Sequence, residues 1–393
     1  MNTYKKTILQ ALLGAFIGIG STCYADEAKV LNVYNWTDYI APDTIANFEK
    51  ETGIKVRYDT YESNESLYAK LLTKKTGYDI VVPSSNWAKL EIEKGAFQKL
   101  DKSKLPNWKN LDTGILTKLE SADPGNNYLA GWLWGYTSIG INTDKVIKAL
   151  GNTTIPDNLW ELVFNPVYTS KLKSCGIAYL DAPDEIFPLA LQHLGKPAFS
   201  QNEGDYRQAF EMLAKVKPDI QHFIPASQSI KALASGSVCI SISWAGDINQ
   251  ARKLAKEENT NQYIVATMPK SGATLFLDTM AIPVDAAHPD NSHKFINYIL
   301  KAEVHAGITN ATNYANPNKA ALKFVKANLR DDQSIFLSSD NIGRLTAPGI
   351  VDDKTRAIMQ EYFAAFKAGK LIPPLKIKEP IKKEKSVKKQ KQK

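Results

Sequence analysis

The chain has 393 residues, enough for two ordinary domains with their own cores. Its net charge of +8 sits at the ends: Lys5 and Lys6 give +2, and the run from Lys376 to Lys393 sets nine lysines against Glu379 and Glu384, giving +7. The body between is left at −1, which gives no support for a nucleic-acid groove with its clustered basic surface.

Lys5 and Lys6 precede an apolar run from Ile8 to Ile19 and a small-residue stretch ending at Ala25. This reads as a secretory signal peptide, residues 1–25, too short for a membrane span. A lipid on Cys23 is the rival processing, although Gly20-Ser21-Thr22 is a poor lipoprotein box. Without Cys23 an exported chain keeps Cys175 and Cys239, and the simplest reading is one disulfide; two buried free thiols are the alternative. Residues 373–393 are lysine-rich, without apolar periodicity, and read as a disordered tail.

Val30 to Asn35 reads as a buried strand. Trp36, Thr37, Asp38 and Tyr39 then break the pattern with an indole, a hydroxyl, a carboxylate and a phenol, and a helix starts near Pro42. A carboxylate between aromatic rings suits an organic cation; the plainer reading is an aromatic turn with Asp38 at a helix N-terminus. The pattern predicts strands at Lys55–Thr60 and Tyr78–Val82, and helices starting after Ser63 and at Asn86. Ser84 and Ser85 follow the third strand. Strands joined by helical crossovers imply a parallel sheet. Tyr128 to Asn142, rich in aromatics and broken by Gly131, Gly135 and Gly140, reads as an extended segment that crosses between lobes.

A second α/β block follows, with strands at Cys175–Leu180 and Val238–Ser243 and helices at Pro183–Leu194, Asp205–Lys215 and Ser227–Ala234. Trp244 to Asp247 opens a helix running to about Lys256. The third block has strands at Tyr263–Met268 and Thr274–Pro283, then helices at Asp290–Leu300, Glu303–Asn310, from Asn318 onward, and at Thr355–Lys367.

Enzyme signatures are thin. The histidines are scattered, and no zinc-binding His-Glu-x-x-His run, hydrolase elbow or phosphate loop is present. The polar residues at strand ends are more coherent: Trp36, Thr37, Asp38, Tyr39, Ser84, Ser85, Asp181, Asp184, Glu185, Trp244 and Asp247, joined by Phe276, Asp278 and Tyr314. They are acids, aromatics and hydroxyls with no lysine or arginine, a composition suited to two ammonium groups on an alkyl chain. For Glu185 and Asp247 a plain helix N-terminal role is an equal alternative.

The stretch Tyr34 to Ile40, with Phe48 to Val56, Tyr78 to Ser84, Leu100 to Pro106 and Asn110-Leu111-Asp112, resembles the polyamine-binding periplasmic proteins of ABC uptake systems, over about Leu31 to Lys370. Leu180 to Glu185, Ser243 to Asp247, Phe276-Leu277-Asp278 and the cysteine pair look more like the putrescine-binding branch. Asn86 and Trp87 depart from that branch, which carries serine and phenylalanine there.

The resemblance implies an α/β, type II periplasmic-binding-protein fold. It has two lobes, each a mainly parallel sheet flanked by helices, with the ligand in the cleft between them. Lobe I would be residues 26–137 and 260–313, and lobe II residues 138–259 and 314–372. Crossings are expected near Tyr136–Ile139, Glu258–Ile264 and Thr312–Ala315. The ligand-binding set is Trp36, Thr37, Asp38, Tyr39, Ser84, Ser85, Glu185, Trp244, Asp247, Phe276, Asp278 and Tyr314. Asp38 and Asp278 would hold one ammonium, Asp247 the other, and Glu185 would act through water. The function implied is a monomeric, non-enzymatic periplasmic protein. It captures putrescine or a related polyamine, such as spermidine, for the membrane permease of an ABC importer, with no cofactor, metal or nucleic acid. A polyamine sensor using the same cleft is the alternative.

Overall fold

The computed structural model describes residues 27–372. The expected signal peptide, Cys23 and the lysine-rich tail lie outside these residues. Among the described residues no helix is long and apolar enough to cross a membrane.

Among the described residues, ten strands build two sheets. In the first, β1 (Val30–Trp36) lies between β2 (Lys55–Tyr61) and β3 (Ile80–Val81), all parallel. Helices Thr44–Thr52 and Asn64–Leu72 make the crossovers. Each is ended or started by local chemistry: Gly53 closes the first in a left-handed conformation, and the Ser63 side chain accepts from the Ser66 amide to start the second.

The second sheet is mixed. Its backbone is the long strand β4 (Ala130–Asn142), with β5 (Ile177–Leu180), β6 (His222–Ile224), β7 (Ile240–Trp244), β8 (Ile264–Thr267), β9 (Ala273–Met280) and β10 (Leu345–Thr346). β5 runs parallel to β6 and β7. β4 is antiparallel to β7, β8 and β9. The glycines of β4 weaken a helix and leave it extended, as the sequence predicts.

Two large apolar cores sit on either side of this frame. One holds Leu31, Phe48, Ile80, Trp132, Leu133 and Phe295; the other holds Tyr136, Tyr179, Phe187, Tyr206, Ile240 and Phe366. β4 passes from the first core to the second between Leu133 and Tyr136, and Trp134 touches both.

β8 pairs with the far end of β4 beside the second core, and β9 carries residues of both cores. Ala273 belongs to the second core, and Leu277 and Met280 to the first. The segment after Tyr314 also stays with the first lobe for longer. Asp112 donates its amide to the Pro317 carbonyl at 2.8 Å, and Asn318 Nδ2 donates to the Leu300 carbonyl at 2.9 Å. The predicted helix from Asn318 is a short 3-10 turn, Lys319–Phe324, because its first residue is tied down this way. The chain enters the second core again at Leu337.

Cys175 and Cys239 form a disulfide with Cα atoms 5.4 Å apart and a sequence separation of 64. It joins the approach to β5 to the approach to β7, far from the first core. Replacing both cysteines with alanine should lower the free energy of unfolding by about 4 kcal/mol in urea titrations, from the loop that the bond closes.

Candidate ligand-binding cleft

The cleft lies between the two cores, at the ends of strands from both sheets. β1 delivers Trp36, whose indole N–H donates to the Val82 carbonyl at 2.8 Å. The Thr37 amide bonds the Tyr61 carbonyl at 3.1 Å. Asp38 then takes a left-handed conformation, φ 56°, which a short polar side chain tolerates better than a bulky one. That reversal turns Tyr39 into the cleft, where its hydroxyl donates to Asp278 Oδ2 at 2.7 Å. Ser84, at the end of β3, donates to Asp278 Oδ1 at 2.6 Å and is held by Asn64 Nδ2 at 3.2 Å.

From the second lobe, β7 delivers Trp244, and the helix Ala245–Glu257 starts at once. Asp247 lies in its first turn, where the dipole favours a carboxylate. Tyr314 donates to Asp247 Oδ1 at 2.5 Å, while Asp247 Oδ2 is buried with no partner. Glu185, in the first turn of the helix Pro183–His193, accepts from the Thr137 hydroxyl. The Trp244 indole N–H also has no completed hydrogen bond.

The rings meet across the gap. Trp36 and Trp244 touch edge to face at 5.5 Å, and Tyr39 and Tyr314 at 4.8 Å. Phe276 sits 6.1 Å from both Trp244 and Tyr314. Two glycines make room for this box. A Cβ on Gly135 would stand 2.7 Å from the Phe276 ring, and one on Gly246 would stand 2.4 Å from the Tyr314 ring. The Ser227 hydroxyl donates to Glu62 at 2.9 Å and spans the mouth. The cavity that these rings and carboxylates leave is small, about 30 Å³.

Five carboxylates line this space, Asp38, Glu62, Glu185, Asp247 and Asp278, with no lysine, arginine or histidine. They fall into two groups. Asp247 is pushed up to about 7, first by burial and then by the charges of Asp38 and Glu62. Asp278 is pushed up to about 6 by burial, against the Ser84 and Tyr39 hydrogen bonds. Half-buried Glu185 is raised by burial, then by Asp184, and also feels Asp278. The charge of Asp38 thus reaches Asp247.

Of the predicted residues, Trp36, Thr37, Asp38, Tyr39, Ser84, Glu185, Trp244, Asp247, Phe276, Asp278 and Tyr314 line the cleft. Ser85 does not; it is the first helical residue after Ser84 and lines a separate crevice. Asp181 pairs with Lys367, and Asp184 accepts from Trp87 Nε1 at 3.0 Å in a smaller cavity. Glu62, Ala226, Ser227 and Ile230 line the cleft but were not predicted. Glu62 directly follows β2, so the strand-end rule that found Asp38 also reaches it.

Residues 43–333 match the family model for bacterial extracellular solute-binding proteins. The chain belongs to that family. The solute-binding protein is 42% identical to the putrescine-binding periplasmic protein PotF of Escherichia coli, over 93% of this chain and 99% of PotF. It is also 42% identical to the putrescine-binding periplasmic protein SpuD of Pseudomonas aeruginosa, over 94% and 100% of the two chains. A solved structure of a putative spermidine/putrescine ABC transporter from Listeria monocytogenes superposes with a TM-score of 0.76 at 29% identity, covering 86% of this chain and 99% of the other. The solute-binding protein thus has the two-lobe, type II fold, with its cleft between the lobes.

Asp247 and Asp278 both lie above the usual unfolded value of about 3.9. Their contribution to stability is therefore full below that value and is lost as pH rises through 6 to 7. In the unliganded protein, carboxyl-carbon NMR should find Asp247 titrating near 7 and Asp278 near 6, and Tyr314→Phe should raise Asp247 further by removing its donor. Ordinary values for both would show that the cleft is wetter than its geometry implies.

Proposed function

We propose that the protein captures putrescine in this cleft and delivers it to the membrane permease of an ABC importer. The observation that carries the reading is a lining of five carboxylates and aromatic rings with no basic residue. A diamine supplies the missing charge at both ends and lays its alkyl chain along Trp36, Trp244 and Phe276. One ammonium is held by Asp247 with Asp38, and Asp247 Oδ2 gains the partner it lacks. The other is held by Asp278, with Tyr39 and Ser84 fixing its oxygens and Glu185 nearby. The likeness to PotF and SpuD, whose names give putrescine and the periplasm, supports the same ligand and compartment here.

Lobe separation about β4 and β9 admits the ligand, and closure presents a surface to the permease as a monomer. In the proposed division, β4 near Leu133–Tyr136 and β9 are the hinge strands. Residues 1–25 are the signal peptide that sends the chain to the periplasm, and the binding protein does no chemistry on its cargo.

Calorimetry with putrescine, spermidine, cadaverine and amino acids tests the reading. Micromolar binding of putrescine, about −8 kcal/mol, is expected; no heat with any diamine would sink the proposal. Asp247→Asn should weaken binding at least tenfold. Asp38→Asn should cost less, since its carboxylate is exposed and screened by water.

The same groups set the pH dependence. The charged forms bind the dication, so protons held at about 7 and about 6 must leave before it binds. Affinity should fall more than tenfold from pH 8 to pH 5, and the thermal shift given by saturating putrescine should shrink with it. A flat profile would separate Asp247 and Asp278 from the ligand.

A further inference from the structure

β9 has two faces. Phe276 and Asp278 line the acidic cleft, while Leu275 and Leu277 line a second cavity of about 340 Å³ behind the strand. The alternation follows from the period of two along any strand. Trp134, opposite Leu277 in the β4–β9 ladder, forms the floor on the same side. Ile115 of the helix Thr113–Leu119 forms one wall, and Ile342 and Leu345 form the other. The cavity is more than twice the size of an engineered apolar cavity, about 150 Å³, that binds benzene.

Its charge is opposite to that of the cleft. No acid lines it, and the one charged residue is Lys118. Lys118 is exposed, and its ammonium makes no ion pair among the described residues. Thr117, and Ser121 just beyond the helix, also line it, their hydroxyls donating to the Thr113 and Lys118 carbonyls. Ile342 leaves 38% of its surface exposed there, so an apolar occupant would remove it from water.

We propose that this crevice is a second binding site, for a small amphipathic anion. An apolar body of one or two rings, or a short acyl chain, packs on Leu275, Leu277 and Trp134, and a carboxylate or sulfonate meets Lys118. The site shares no lining residue with the acidic cleft and stands whether or not that cleft takes a diamine.

Fluorescence titration of the folded, full chain with 8-anilinonaphthalene-1-sulfonate and with its neutral relative N-phenyl-1-naphthylamine tests the proposal. Both should bind saturably with one-to-one stoichiometry, and decanoate should displace them. Ile342→Asp should weaken both probes at least tenfold. Ala347→Asp, exposed on the same wall, should do likewise and guards against a folding defect in the first variant. Lys118→Gln should weaken the sulfonate at least threefold and leave the neutral probe within twofold. No saturable binding, or unchanged affinity in both aspartate variants, overturns the site. An equal effect of Lys118→Gln on the two probes overturns its preference for anions.

Discussion

A carboxylate taken out of water needs a counter-charge or a proton. Asp247 and Asp278 are buried, and the chain places no lysine, arginine or histidine in the cleft with them. The folded protein instead gives each a phenol, Tyr314 for one and Tyr39 for the other, and Asp278 a hydroxyl as well. Neutral donors orient the oxygens without cancelling the charge. The cleft therefore lacks a counter-charge of its own, which a dication would supply under the proposed function. Burial that disfavours the empty charged site is the same burial that strengthens the filled one.

Geometry serves that constraint at one remove. The rings can close over the gap only because Gly135 and Gly246 have no side chain beneath Phe276 and Tyr314. β4 and β9 run through both cores, and β9 carries Phe276 and Asp278. Under the proposed hinge at these strands, lobe separation would take the site apart as well. The backbone reversal at Asp38 belongs to the same economy of chain: one left-handed residue sends Tyr39 inward and leaves the Asp38 carboxylate at the mouth.

The sequence made the strand ends legible, because a break from apolar alternation into acids and aromatics is local. That is why Asp38, Ser84, Glu185, Asp247 and Asp278 could be gathered before any contact was known. Ser85 was gathered with them and sits elsewhere: Ser84 is still extended backbone and reaches the cleft, whereas Ser85 is the first residue of the helix and lines a separate crevice. Ser227 and Ile230 were hidden because β6 is a three-residue strand without a buried run. The crossing in β9 was illegible for a different reason. β8 and β9 both read as strands, but which one changes lobe depends on pairing with β4, more than a hundred residues earlier. No periodicity carries that partner choice.

A second group of acids sharpens what the cleft lacks. Glu91 is fully buried, with both oxygens unpartnered, and burial pushes it up to about 8. Half-buried Asp184 is raised as well, chiefly by burial. Here the chain brings its own cation. Arg356, from the helix Asp353–Ala368 of the second lobe, lies 4.0 Å over the Trp87 ring of the first, and its charge draws both acids back down. The two junctions face the same electrostatic problem, acids confined between lobes beside an indole. One has a guanidinium built into the sequence beside it. The other has no resident cation, and under the proposed function the ligand supplies that charge, which is how closure can come to depend on its arrival.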